Sequence, residues 1–228
     1  MNVMDVVTRE NAYLYAEELD ELFQLRHRYF VDTKHWTDLH KVDGRERDQF
    51  DNDDTVYLLL MHEGRVVGTH RLLPTTKPHL FTEVFPHLCN VRGIRRGPDI
   101  YEAGRTCLDE SFLTRDDLRR LRRLIMLGLF ESCARAGISQ FVTLCPVTVV
   151  HQYLKMGLDV EVLGVPEIID GVMCVAASFP TSEHDLQMVR AALRIHHVVV
   201  RYIGVRPDLK GPVFPSSWSA TAPSMTLQ

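Results

Sequence analysis

The chain has 228 residues, 45% hydrophobic and 25% charged, with a formal net charge of −4. That balance suits one sizeable soluble domain that buries a core without disulfides or a structural metal, and its acidic sign argues against nucleic acid as a partner. The segment MNVMDVVTREN is no signal peptide, no stretch approaches the roughly 18 apolar residues of a membrane span, and the five cysteines form no CxxC pair, so a cytoplasmic location with reduced thiols is expected.

Leu19, Leu22, Leu25 or Arg26, and Tyr29 recur at helical spacing and predict an amphipathic helix over 10–31. The polar stretch 32–54 is too long for an idle loop. TVYLLLMH (55–62), a turn at Glu63-Gly64-Arg65 and VVGTHRLLP (66–74) predict a β-hairpin. A short helix is expected over 79–89, a basic turn over 90–98 and a buried strand over 99–109. Thr114 is placed to cap a long helix that Gly137 ends. Strand 139–145, helix 147–156, strands 158–163 and 171–179, and helix 182–196 follow. The tail 206–228, rich in Pro, Ser, Thr and Ala, is expected to be disordered, leaving 1–205 as a single domain. The order predicts an α/β fold, a three-layer α-β-α arrangement with a mixed central sheet, and resembles the GNAT-like acetyltransferases.

Three acids, Glu46, Asp48 and Asp51, lie within six residues and are flanked by Trp36 and Phe50. They make either a solvated acidic loop or a site for a cation, to which an aromatic face would add attraction. Arg26 and Phe30 stand four apart and share the helix face of Leu22, so Arg26 points inward and needs a carboxylate. Arg71 sits in mid-strand, on the face that alternation gives to Val67, Thr69 and Leu73; His70 faces the other way as a packed or surface residue. In Tyr101-Glu102-Ala103-Gly104-Arg105, alternation separates Glu102 from Arg105, but a bulge at Gly104 would return both to one side. Glu102 is then either a proton acceptor with a raised pKa or half of a structural ion pair with Arg105.

Arg26, Phe30, Trp36, Glu46-x-Asp48-x-x-Asp51, Arg71 and Glu102-x-x-Arg105 in this order, with VVGTHRLLPTT and EVFPHL, resemble the LuxI-type acyl-homoserine-lactone (autoinducer) synthases over roughly residues 10–180. The resemblance implies a GNAT-related fold, S-adenosylmethionine and an acyl thioester of coenzyme A or acyl carrier protein as substrates rather than cofactors, and an N-acyl-homoserine lactone and 5′-methylthioadenosine as products. It implies Glu102 as base with Asp48 as competitor, and Arg26, Arg71 and Arg105 as an ion-pair frame. Glu46 and Asp51 would face the cationic substrate, and Phe30 and Trp36 would wall the adenosyl site. The family usually carries serine where this chain has Gly104, and a bulkier residue than Thr106 and Cys107.

An acyl pocket is expected between the sheet and the 114–136 helix, lined by Phe85, Tyr101, Met126, Phe130, Leu144 and Val147. VVGTHRLLPTTKP and EVFPHL are similar to the subgroup that uses acyl-CoA donors of branched or aryl acids. Arg115, Arg119, Arg120, Arg122 and Arg123, with Arg92, Arg95 and Arg96 near in sequence, are either a solvated helix face or a rim for carrier phosphates or acidic carrier protein. The competing readings are a GNAT-like N-acyltransferase with another amine acceptor and a non-catalytic acyl-ligand-binding domain. No metal and no membrane are expected; oligomeric state stays open.

Overall fold

The computed structural model describes residues 3–111 and 113–204. Nine strands form one mixed sheet: β1 (Val3–Val7), β2 (Val56–His62), β3 (Arg65–Pro74), β4 (Ile100–Leu108), β5 (Gln140–Pro146), β6 (Glu161–Val162), β7 (Glu167–Ile169), β8 (Val172–Pro180) and β9 (Val200–Tyr202). The order across the sheet is β6-β8-β5-β4-β3-β2-β1-β9, with β7 paired to β8. Helices α3 (Arg115–Ala136), α4 (Val147–Lys155) and α5 (Glu183–Leu193) pack their apolar residues on one face. Helix α1 (Ala16–Arg26) and the short α2 (Leu80–Glu83) cover the other. The three-layer GNAT-like expectation holds.

Most expected elements are present, with instructive shifts. Thr114 caps α3 through the Asp117 N–H, and Gly137 (φ 71) ends it. The helix expected over 10–31 divides: a 3-10 turn at Ala12–Leu14, then α1, then a π-helical stretch at His27–Thr33. The wider π turn carries the chain from the α1 face toward the acidic loop. The helix expected over 79–89 is α2 followed by a 3-10 turn at Pro86–Cys89, broken by Pro86. The strand expected over 158–163 shortens to β6. Strands β1, β7 and β9 were not anticipated. β9 docks parallel to β1, fixed by the Arg201–Asp5 ion pair at 2.6 Å and by Glu131, which accepts from the Val199 N–H at 3.1 Å. The expected tail lies outside the described residues.

Two irregularities set which side chains reach which face. Leu60 pairs Gly68 and Met61 pairs Val66, so Val67 is an extra residue in β3. Val67 therefore turns to the α3 face and does not share the face of Thr69 and Arg71. In the next pair Arg71 opposes Gly104 and Thr69 opposes Cys107, so His70 faces two residues, Arg105 and Thr106. The left-handed residue is Arg105 (φ 49), not Gly104. The bulge is present as expected, but the arginine carries it.

Candidate active site

Arg26 ends α1 fully buried, and its charge is met by the acidic loop that the preceding π turn delivers. Its Nε donates to Glu46 at 2.6 Å, and both terminal nitrogens donate to Asp51 at 2.8 Å. Asp51 lies 3.1 Å from Arg71, and Arg71 donates to Asp48 at 2.6 Å. Asp48 accepts from Arg105 at 2.7 Å, and Arg105 returns to Glu46 at 3.2 Å. Three arginines and three carboxylates thus alternate in a closed ring, with Glu46 at 0% exposure. Each buried charge has a partner of opposite sign on both sides, which is the condition for burying it at tolerable cost.

Within the ring, the charges of Asp51 and Arg26 are held by their partners. Burial opposes ionisation of Asp51, but the Arg26 hydrogen bonds and charge, with Arg71, hold its carboxyl far below the usual range. Burial likewise opposes charge on Arg26, which Asp51 and Glu46 reverse, so Arg26 stays protonated at any working pH. Tyr57 adds a hydroxyl donor to Asp51 at 3.1 Å, and its own ionisation is pushed up by burial and that carboxylate. Tyr57 was missed in the sequence, although its register opposite Arg71 places it on this face.

Beside the ring, Phe30 and Trp36 stack at 5.1 Å with an interplanar angle of 20°. The Arg105 guanidinium lies 5.5 Å from the Phe30 ring centre. The Trp36 indole N–H is buried and has no hydrogen-bond partner among the described residues.

Glu102 stands outside the ring. It is 2% exposed on β4 and accepts the Phe81 N–H at 3.4 Å. Burial raises its pKa from 4.5 to about 7, against the pull of Arg71, Arg105 and the amides of Phe81 and Leu80 at the start of α2. Arg105 pairs with Glu46 and Asp48, so the structural Glu102–Arg105 pair considered above is not formed. At this carboxylate the sheet opens. β4 and β5 pair only at Ile100↔Gln140, Tyr101↔Phe141 and Glu102↔Val142, although both strands run on. The β4 backbone beyond Glu102 therefore faces a notch.

The expected acyl pocket does not assemble as one site. Tyr101, Met126 and Phe130 lie on the α3 face, where Phe130 is wedged among Phe141 and Tyr153 with ring distances of 5.2 Å. Phe85 and Leu144 lie on the opposite face, with Phe81, Leu88, Val142 and Ala176. Val147 is 37% exposed at the start of α4. Strand alternation is the cause: Glu102 and Leu144 point one way, Tyr101 the other. The apolar cluster on the side of Glu102 is the one under α2, and Phe81 is the member of it that sequence reasoning missed. The basic cluster also divides. Arg92 and Arg95 pair with Glu161, and Arg96 donates to the carbonyls of Thr75 and Thr76. Arg115, Arg119, Arg122 and Arg123 remain around a surface cavity of about 400 Å³. Among the described residues no His, Cys, Asp and Glu side chains gather in a metal-binding group.

The autoinducer synthase family model matches residues 10–189, most of the chain. The chain belongs to the autoinducer synthase family. Relatives of this synthase include the isovaleryl-homoserine lactone synthase of Bradyrhizobium diazoefficiens, 36% identical over 200 residues that cover 86% of this chain and 88% of that protein. The acyl-homoserine-lactone synthase of Pseudomonas aeruginosa is 30% identical over 198 residues, covering 85% of this chain and 94% of that one. Among solved structures, the CoA-dependent synthase BjaI with SAM and isopentyl-CoA superposes with a TM-score of 0.82 at 34% identity, covering 91% of this chain and 96% of the other. An acyl-CoA N-acyltransferase from Pseudomonas aeruginosa at 16% identity and TM-score 0.51 shares the synthase's fold alone.

Proposed function

We propose that this autoinducer synthase N-acylates S-adenosylmethionine from a short branched acyl-CoA and closes the product to an N-acyl-homoserine lactone. The observation that carries the reading is one ionisable carboxylate, Glu102, set between a neutral ion-pair ring and the notch where β4 leaves β5. The aromatic stack beside the ring suits an adenosyl sulfonium, whose charge an aromatic face attracts. The branched CoA donor is favoured by likeness to the isovaleryl-homoserine lactone synthase and to the BjaI complex with isopentyl-CoA.

The chemistry proceeds in two stages. Glu102, with a pKa raised to about 7, takes a proton from the substrate ammonium, directly or through a water. The freed amine attacks the thioester carbonyl. N–H groups of β4 facing the notch are placed to donate to the resulting oxyanion. Collapse forms the amide and expels the coenzyme A thiolate, which takes the proton that the attacking nitrogen gives up. The substrate carboxylate then attacks its own γ-carbon and displaces 5′-methylthioadenosine. That leaving group is a neutral thioether, so ring closure needs a folded conformer and no acid. The ring of Arg26, Glu46, Arg105, Asp48, Arg71 and Asp51 holds the amino acid end, and Phe30 and Trp36 hold the adenosyl end.

In this reading the acyl group packs against the apolar cluster under α2, near Phe81, Phe85, Val142 and Leu144, and the arginines of α3 receive carrier phosphates. The single sheet supports taking the described residues as one catalytic unit. No helix among them is long and apolar enough to cross a membrane. The test is to mix purified chain with S-adenosylmethionine and isovaleryl-CoA or the same acyl group on carrier protein. Lactone and methylthioadenosine should appear in equal amounts, faster from the CoA donor. Acylation of another amine without methylthioadenosine would reject the reading.

A further inference from the structure

His70 sits beside Arg71 on β3 but faces away from the ion-pair ring, toward α3. It is buried, and both ring nitrogens are engaged: Nε2 at 3.1 Å from the Ile125 carbonyl in mid-α3, Nδ1 at 2.6 Å from the Thr106 hydroxyl. A carbonyl only accepts, so Nε2 carries the proton and donates, and the Thr106 hydroxyl donates to Nδ1. Burial pushes the His70 pKa down to about 4, in keeping with a neutral ring.

The bond spans the bulge. His70 is the β3 residue opposite Arg105 and Thr106, and Arg105 holds a left-handed φ of 49 that an arginine adopts only under constraint. Thr106 follows Arg105 directly and is exposed at the notch, where β5 no longer pairs with β4. On this stretch the hydroxyl bond to His70 anchors to α3 the segment that aims Arg105 at Glu46 and Asp48.

We propose that His70 and Thr106 are a positioning pair for Arg105, acting from the far side of the sheet to set the ring that receives the amino acid end of S-adenosylmethionine. The inference rests on the reading of that ring as the S-adenosylmethionine site. Neither residue touches the ring's carboxylates; their effect passes through the backbone of the bulge.

The test compares Thr106→Val, which keeps the shape and removes the donor, with Thr106→Ser, which keeps the donor. Both are measured in the full chain for kcat, both KM values, thermal midpoint and S-adenosylmethionine binding by Trp36 fluorescence. Thr106→Val should raise the KM and binding constant for S-adenosylmethionine about tenfold, since small misplacements of binding groups cost this much or more. Its acyl-CoA KM should stay within about twofold and its midpoint near that of the parent, with Thr106→Ser restoring the parent values. His70→Leu combined with Thr106→Val should bind no worse than Thr106→Val alone, because the two act as one unit. A change confined to acyl-CoA KM would mean that Thr106 touches the donor, and additive losses would mean independent packing roles; either overturns the proposal. If the parent binds S-adenosylmethionine nowhere near Trp36, the reading of the site fails instead, which the parent measurement alone reveals.

Discussion

Replacing Glu102 by glutamine should make the protein more stable and nearly inactive, and the stability gain should depend on pH. Glu102 holds its proton in the folded state up to about pH 7, against 4.5 for an ordinary glutamate. Below pH 4.5 both folded and unfolded chains are protonated, so Glu102 costs the fold nothing. Between 4.5 and about 7 the unfolded chain releases the proton while the folded chain keeps it, and stability falls as pH rises. The interval of about 2.5 pH units corresponds to about 3 kcal/mol, fully lost above pH 7. At 2% exposure solvent screening removes little of this. Glutamine has no proton to lose and can still accept the Phe81 N–H. Urea unfolding should therefore place Glu102→Gln level with the parent near pH 4.5 and about 3 kcal/mol above it at pH 8. The acylation rate, followed by release of free thiol, should drop by about 10²–10⁴. A stability difference that does not vary with pH would refute the raised ionisation, and an unchanged acylation rate would remove Glu102 as the base.

Asp51→Asn leaves Arg26 short of its bidentate partner in a closed interior and should destabilise by about 3–5 kcal/mol in chemical denaturation. Asp51 is also a source of acid lability: its depressed pKa contributes stability above the ordinary aspartate range that is lost as pH falls, so the variant should show a flatter acid limb of stability against pH. Asp48→Asn should raise the KM for S-adenosylmethionine and leave the pH profile of kcat/KM in place, because Asp48 is a frame member between Arg71 and Arg105. At Gly104 an added Cβ meets only Glu102 Oε1, at 3.9 Å. Gly104→Ser should fold normally and move the acid limb of kcat/KM to lower pH, as a hydroxyl donor favours the charged carboxylate, while Gly104→Ala should not. Phe130→Ala should cost about 3–5 kcal/mol without altering acyl preference in a donor panel, whereas Leu144→Ala should shift preference toward bulkier acyl groups.

The charged site was legible because charge and burial conflict in a way that sequence displays. Arg26 on an apolar helix face and Arg71 in mid-strand each demand a carboxylate, and the acidic loop offers three. The structure closes these into one ring through the loop's Glu46, Asp48 and Asp51. The bulge near Gly104 was legible from the glycine, but the one at Val67 was not, because nothing in the residue type marks it; a strand's faces alternate strictly, so one extra residue there exchanges the face of Val67. Phe85 and Leu144 were expected on the α3 side, and they lie on the other because strand alternation puts Leu144 on the face of Glu102. β9 was missed because three residues become a strand only through partners far along the chain, Asp5 and Glu131.

In the proposed reaction Glu102, rather than Asp48, is the base, and the pairing within the ring supports that choice. The ring's three guanidinium groups and three carboxylates sum to zero, and each member is held by neighbours of the opposite sign. Asp48 is engaged on both sides, by Arg71 at 2.6 Å and by Arg105 at 2.7 Å, which makes it a member of the frame. Glu102 is in none of the ring's ion pairs: burial raises its pKa to about 7 although the charges of Arg71 and Arg105 pull the other way. In that proposed reaction, a frame for binding and one carboxylate whose pKa burial raises to about 7 would separate binding from proton transfer. For the frame to do this, its geometry has to be set by parts of the molecule that do not change charge. The apolar sheet core supplies them, with His70 kept neutral by burial on the far side.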